Sequence, residues 1–113
     1  YSQLIKSCDI GLSTVIIDRT IVKYCKFPNI KTKEDFVVWL RLAKKKIQII
    51  SLNRYLTYWR STDNSLSSPI IQRLSDAFKV YRYFQEFNLF KTFYFTILLA
   101  LKSVMKKINI YLR

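Results

Sequence analysis

Apolar residues recur at helical spacing in residues 31–46 (KTKEDFVVWLRLAKKK). Phe36, Trp39, Leu40 and Ala43, continued by Ile47, fall on one stripe. The pattern predicts an amphipathic helix with Glu34 and Asp35 at its start and Arg41, Lys44, Lys45 and Lys46 toward its end. That order of charges suits the helix dipole. Upstream, the β-branched run at 12–17 (LSTVII) predicts a short buried strand. Asp18 and Arg19 then open a helical turn through Ile21 and Val22, and Phe27–Pro28–Asn29 starts a loop that runs to Thr32.

Downstream, the alternation at 47–52 (IQIISL) and the aromatic run at 55–60 (YLTYWR) predict two strands, separated by Asn53 and Arg54. Residues 61–68 (STDNSLSS) read as a polar loop with a turn signal at Asp63–Asn64. Ser68–Pro69 opens a helix, serine at the N-cap and proline at the first helical position. Phe78, Tyr81, Phe84 and Phe87 keep its spacing until Asn88 breaks it. A last helix over 89–113 carries Phe90, Tyr94, Ile97, Leu101 and Met105 on one stripe. The order strand, helix, strand, strand, helix, helix predicts an α/β fold: half of a sheet domain followed by a helical tail.

Composition narrows the chemistry. With 113 residues, 50% apolar and 16% aromatic, the chain is sized for one modest domain with its own core. It opens on tyrosine, and no signal-peptide pattern precedes Leu4, so a fragment lacking its upstream part is expected. The single glycine, Gly11, excludes Gly-rich phosphate loops and dinucleotide fingerprints, which need several. The lack of histidine excludes Ser–His–Asp and Cys–His catalysis and histidine metal sites within the chain. Cys8 and Cys25 have no paired-cysteine spacing and read as two small buried hydrophobes, as in a reducing compartment. The net charge of +13 suits nucleic acid, an anionic membrane surface or a phosphorylated ligand.

Thr32-Lys33-Glu34-Asp35 satisfies the capping-box pattern, in which Thr32 and Asp35 each bond the other's backbone N–H. The same geometry admits a functional role. A helix N-terminus favours negative charge, and a carboxylate facing a pocket can take a proton from an attacking hydroxyl. Cap and base remain alternatives on the pattern alone.

Several short motifs then fall in one order: STVIIDR from Ser13, Phe27–Pro28 before a loop, EDFVVWLRLAKK from Glu34, and LTYWRSTDNSLS from Leu56. Together they resemble the C-terminal half of a bacterial family 2 glycosyltransferase of the non-processive GT-A type. The resemblance implies a GT-A-like mixed sheet domain (strand-helix-strand-strand) followed by two amphipathic helices, with 1–68 as the acceptor-side portion and 69–113 as the tail. It implies an inverting transfer of a sugar from a nucleotide-sugar donor to an acceptor hydroxyl, in cell-surface polysaccharide synthesis. Asp35 would be the general base and Glu34 its supporting neighbour. Ser13 and Thr14 would floor the acceptor pocket. Arg60 is a candidate phosphate ligand, or a partner for Asp63.

The departures matter. No Asp-x-Asp metal motif is present, so no cofactor is expected in this chain, and a divalent metal (Mg or Mn) is expected in a full-length parent. Gln72–Arg73 is followed by Leu74, so the processive motif Gln-x-x-Arg-Trp is missing too. Alone, the chain is expected to be inactive. Its expected partners, through the parent, are a nucleotide sugar and a glycan or lipid-linked acceptor.

The tail is basic, with seven Lys or Arg between 77 and 113 against Glu86 alone. The uncharged run from Lys91 to Lys102 is too short for a span, which needs about 20 residues. Lys91, Phe93, Tyr94, Lys102, Lys106 and Lys107 instead read as a helix on a membrane interface, peripheral at the cytoplasmic face. The alternative is a helix packed on the rest of its domain or on a second copy. A nucleic-acid module is not favoured, because the aromatics keep core spacing and the basic residues are scattered. A non-catalytic interaction domain is the other rival.

Overall fold

The computed structural model of the chain describes residues 1–58 and 69–111. Three α-helices dominate: α1 (Glu34–Lys44), α2 (Ile70–Lys79) and α3 (Leu89–Tyr111). Short 3₁₀ turns stand at Leu4–Lys6, Leu12–Thr14 and Arg19–Tyr24, and α2 continues into a π-helical turn, Val80–Phe84. The Arg19–Tyr24 turn is capped as its sequence suggests, Asp18 Oδ1 accepting from Thr20 N–H at 2.8 Å.

α1 lies at the centre. Phe36, Val37 and Leu40 meet Ala77, Val80 and Tyr81 from the second helical segment, Leu99 from α3, and Ile5. Val38, Trp39 and Leu42 form a second cluster under Val15, Ile17, Ile21 and Tyr24. The predicted single stripe is therefore widened to two buried faces, because the N-terminal loops cover the side that α2 and α3 leave open. Each fully buried side chain of this size contributes about 1.5–3 kcal/mol of burial.

Polar side chains pin these layers. The Tyr81 hydroxyl donates to the Ile5 carbonyl at 2.9 Å, and the Trp39 indole N–H donates to the Ile10 carbonyl at 3.2 Å. Arg41 donates to the carbonyls of Tyr24 and Lys26 at 3.2 and 2.7 Å, closing the loop after the 3₁₀ turn. Around Tyr81, the rings of Phe87 and Phe95 gather with centroids 6.2 and 5.5 Å away.

α1 ends in a Schellman motif, with Lys46 N–H bonded to Ala43 O and Ile47 N–H to Leu42 O, both at 3.1 Å. Lys46 itself takes the left-handed conformation (φ 58°), a position where glycine is usual.

The structure corrects the α/β expectation. Among the described residues there is no strand and no sheet. Residues 12–14 wind into a 3₁₀ turn, the Thr14 N–H and hydroxyl both donating to Gly11 O at 3.0 and 2.7 Å. Residues 15–17 are irregular yet still alternate, with Val15 and Ile17 turned toward Trp39 and Ile16 fully exposed. Residues 47–58 are also irregular, and Ile50, Leu52, Tyr55 and Tyr58 are exposed. Period-two alternation and β-branched content are present, but a strand needs a neighbour for its backbone N–H and C=O groups, and among the described residues none lies alongside. The predicted end of the aromatic strand, Trp59 and Arg60, and the loop and N-cap at 61–68 lie outside the described residues.

The GT-A-like mixed sheet implied by the family resemblance is thus overturned for this chain, and so is its identification as half of a GT-A enzyme. With no sheet among the described residues to build a GT-A site, the reading of the chain as a fragment that performs inverting sugar transfer from a nucleotide-sugar donor falls with it.

The two predicted C-terminal helices are present. The first begins at Ile70 and widens into the π turn before Asn88, and α3 follows the predicted boundary at Leu89.

Candidate functional site

The candidate carboxylates stand at the N-terminal mouth of α1. The capping box that the sequence offers does not form. Thr32 N–H and Oγ both donate to Asp76 Oδ2 in α2, each at 2.9 Å. The N-cap position falls instead to Lys33, left-handed at φ 64° and without a side-chain cap bond. Asp35 is left half-buried, its Oδ1 accepting from the next N–H, that of Phe36, at 2.7 Å. Glu34 sits beside it, also half-buried. Since Phe36 is sealed in the core, the Asp35 backbone is held from behind while its carboxylate stays at the rim.

Cys8 belongs to the same neighbourhood. Burial pushes its thiol above the ordinary value, Lys33 and Lys106 oppose that, and Asp35 and Glu34 add to it. A thiol held this way is a poor nucleophile. Next to it, the Ser7 hydroxyl donates to Asp9 Oδ1 at 2.7 Å, and Lys106 of α3 forms an ion pair with the same carboxylate. The mouth therefore mixes lysines, carboxylates and a thiol. It can accept hydrogen bonds from hydroxyl groups at Glu34 and Asp35 and offer cationic charge at Lys33.

The other expected positions are dispersed. Ser13 and Thr14 lie exposed on the Leu12–Thr14 turn. Thr14 lines a cleft of about 830 Å³ whose walls include Trp39 and residues 47–52 and 54–57. Ser13, Glu34 and Asp35 do not line that cleft, so the proposed base and the proposed acceptor floor do not share one concavity. Arg60 lies outside the described residues. On α3, Phe93 packs edge-on against Phe78 and Tyr94 against Phe95, with centroids 5.4 and 5.3 Å apart, yet both keep exposed faces. Lys91 lies 4.1 Å over the Phe87 ring, and Lys102 is half-buried. The side chain of Lys107 lies outside the described residues. Among the described residues no group of three His, Cys, Asp or Glu could hold a metal ion. The described residues do not fit a divalent cation.

Asp76 went unforeseen, and it is the most heavily bonded carboxylate among the described residues. It is fully buried and accepts from Gln72 at 2.9 Å and from Lys79 at 3.1 Å in addition to Thr32. Burial alone would raise its carboxyl, but the bonds from Gln72, Lys79 and Thr32 outweigh it and hold the group below its ordinary value. Its sequence signal was the spacing: Gln72 and Lys79 stand one turn before and after it on the same helix face.

Comparison with known proteins adds a relationship. A protein named for teichuronic acid biosynthesis, the glycosyltransferase TuaG of Bacillus subtilis (strain 168), is 31% identical over 108 residues, covering 96% of this chain and 43% of the relative. Two Escherichia coli proteins, WfaP and WfgD, each carry the name UDP-Glc:alpha-D-GlcNAc-diphosphoundecaprenol beta-1,3-glucosyltransferase. WfaP is 40% identical over 66% of this chain and 29% of its own length. WfgD is 33% identical over 83% of this chain and 37% of its own. The chain therefore spans less than half the length of each. No family model and no solved structure matches it. The chain is a distant relative of family 2 glycosyltransferases, and the relationship holds at that level.

Proposed function

We propose that this chain is an acceptor-side helical element of a longer protein related to family 2 glycosyltransferases, inactive by itself, in which the mouth of α1 binds a hydroxyl group of the acceptor. One observation carries the reading. Asp35, at the first turn of a helix whose next residue is locked in the core, is released from the capping duty its sequence suggests and keeps a half-exposed carboxylate. Such a group can accept a hydrogen bond from a sugar hydroxyl and take its proton. Glu34 flanks it, half-buried like Asp35.

The nucleotide sugar and the divalent ion (Mg or Mn) are assigned to the remainder of the longer protein. A lipid-linked acceptor is favoured over a free glycan, because two of the relatives are named for a diphosphoundecaprenol-linked one.

The test is Asp35→Asn in the full-length protein, assayed for sugar transfer and for melting. Transfer is expected to fall by about 10²-fold or more with melting unchanged. Transfer that survives at the parental rate overturns the assignment.

A further inference from the structure

α3 is built inside out. Its threonines face the core: Thr92 and Thr96 are buried and donate to the carbonyls of Asn88 and Thr92, both at 2.8 Å. Leu99 and Phe95 join them there, but most of its large apolar side chains face the other way. Phe90 is 87% exposed where Thr92 is 0%. Phe90, Phe93, Tyr94, Ile97, Leu101 and Met105 recur every three or four residues, and each is more than half exposed. At 1.5 Å per residue they form a ridge about 22 Å long. A monomer in water gains nothing from a ridge of this size.

The charges around the ridge say what would cover it. At 100° per residue, Lys91 and Lys102 fall along one flank of it. Between residues 69 and 111 there are seven basic side chains against two carboxylates, and one of those two, Asp76, is sealed in the interior. The net charge of +13 repels a second copy of the chain and attracts an anionic surface. Among the described residues no helix is long and apolar enough to cross a membrane.

We propose that the outward ridge of α3 seats the chain on an anionic lipid surface. The helix lies in the plane of the interface, its aromatic and aliphatic side chains enter the headgroup–acyl boundary, and Lys91 and Lys102 meet headgroup phosphates. This does not depend on the role assigned to Asp35, and its test contains neither sugar donor nor acceptor.

The test is sedimentation of the full chain with phosphatidylcholine vesicles containing about one third phosphatidylglycerol, compared with phosphatidylcholine alone. Binding is expected to the anionic vesicles, weakening as salt rises. Ile97→Ser with Leu101→Ser is expected to reduce it about tenfold or more, with an unchanged circular dichroism spectrum because both side chains already face solvent. Should that pair disturb folding, Phe90→Ser probes the ridge at its most exposed member. Lys91→Glu with Lys102→Glu is expected to remove the preference for anionic vesicles. Wild-type chain left in the supernatant, or ridge variants that bind as well as wild type, would overturn the proposal. So would a concentration-dependent dimer that the ridge variants abolish, since the ridge would then be a contact between copies.

Discussion

Thr32 gives both its backbone N–H and its hydroxyl to one oxygen of Asp76, across 44 residues of chain, each bond at 2.9 Å. This clasp diverts Thr32 from capping α1 and joins the start of that helix to the middle of α2. Around the same carboxylate, Gln72 and Lys79 complete the donor set. One buried side chain thus organises the junction on which the candidate site stands.

Removing that carboxylate leaves buried donors without a partner. Asp76→Ala is expected to cost about 2–4 kcal/mol, and Thr32→Val, which keeps the backbone donor, about 1 kcal/mol. Urea unfolding measures both. Equal, negligible losses would show that water satisfies these groups as well as the clasp does.

The same group predicts acid sensitivity. Its unfolded carboxyl titrates near 3.8 and the native bonds hold it lower, so below that value the unfolded state binds the proton first. The stabilisation is complete above the unfolded value and is lost as pH falls through the folded one. The urea midpoint is expected to drop on acidification below about pH 4 more steeply in the wild type than in Asp76→Asn. Parallel pH profiles would assign the acid loss to other carboxylates.

Asp35 should behave oppositely in a stability assay. A capping carboxylate contributes about 1 kcal/mol, whereas this one bonds its own neighbour's N–H and stands at the rim. Asp35→Ala is expected to shift stability by less than about 0.5 kcal/mol. A full kcal/mol of loss would restore the capping role and weaken its assignment to a hydroxyl.

At the other end of α1, Lys46 occupies a left-handed position with φ 58°. A side chain there carries a penalty of about 1 kcal/mol that glycine lacks. Lys46→Gly is expected to raise the melting temperature, with the Schellman bonds retained. A lower melting temperature would mean that the lysine's own contacts outweigh the backbone strain.

The local features were legible before any coordinates. Glu34 and Asp35 do open a helix, Phe36, Trp39 and Leu40 of its expected stripe are buried while Ala43 and Ile47 are half-buried, and the Asp18 turn and the start of α3 at Leu89 stand where the pattern placed them. The apolar ridge of α3 was legible as a stripe as well. Its direction was not, because the sequence does not say which face of a helix finds a neighbour, and here the threonine face did.

Helices could be read from the sequence because their hydrogen bonds close within four residues, so spacing and local charge suffice to determine them. Residues 12–17 and 47–52 carry strand-like patterns for equally local reasons, but a strand exists only when distant backbone lies beside it. The partner of Thr32 was decided in the same way. Its pattern pointed three residues ahead to Asp35, and the folded chain brought Asp76 closer, into a dry site where an unpaired carboxylate could not stay.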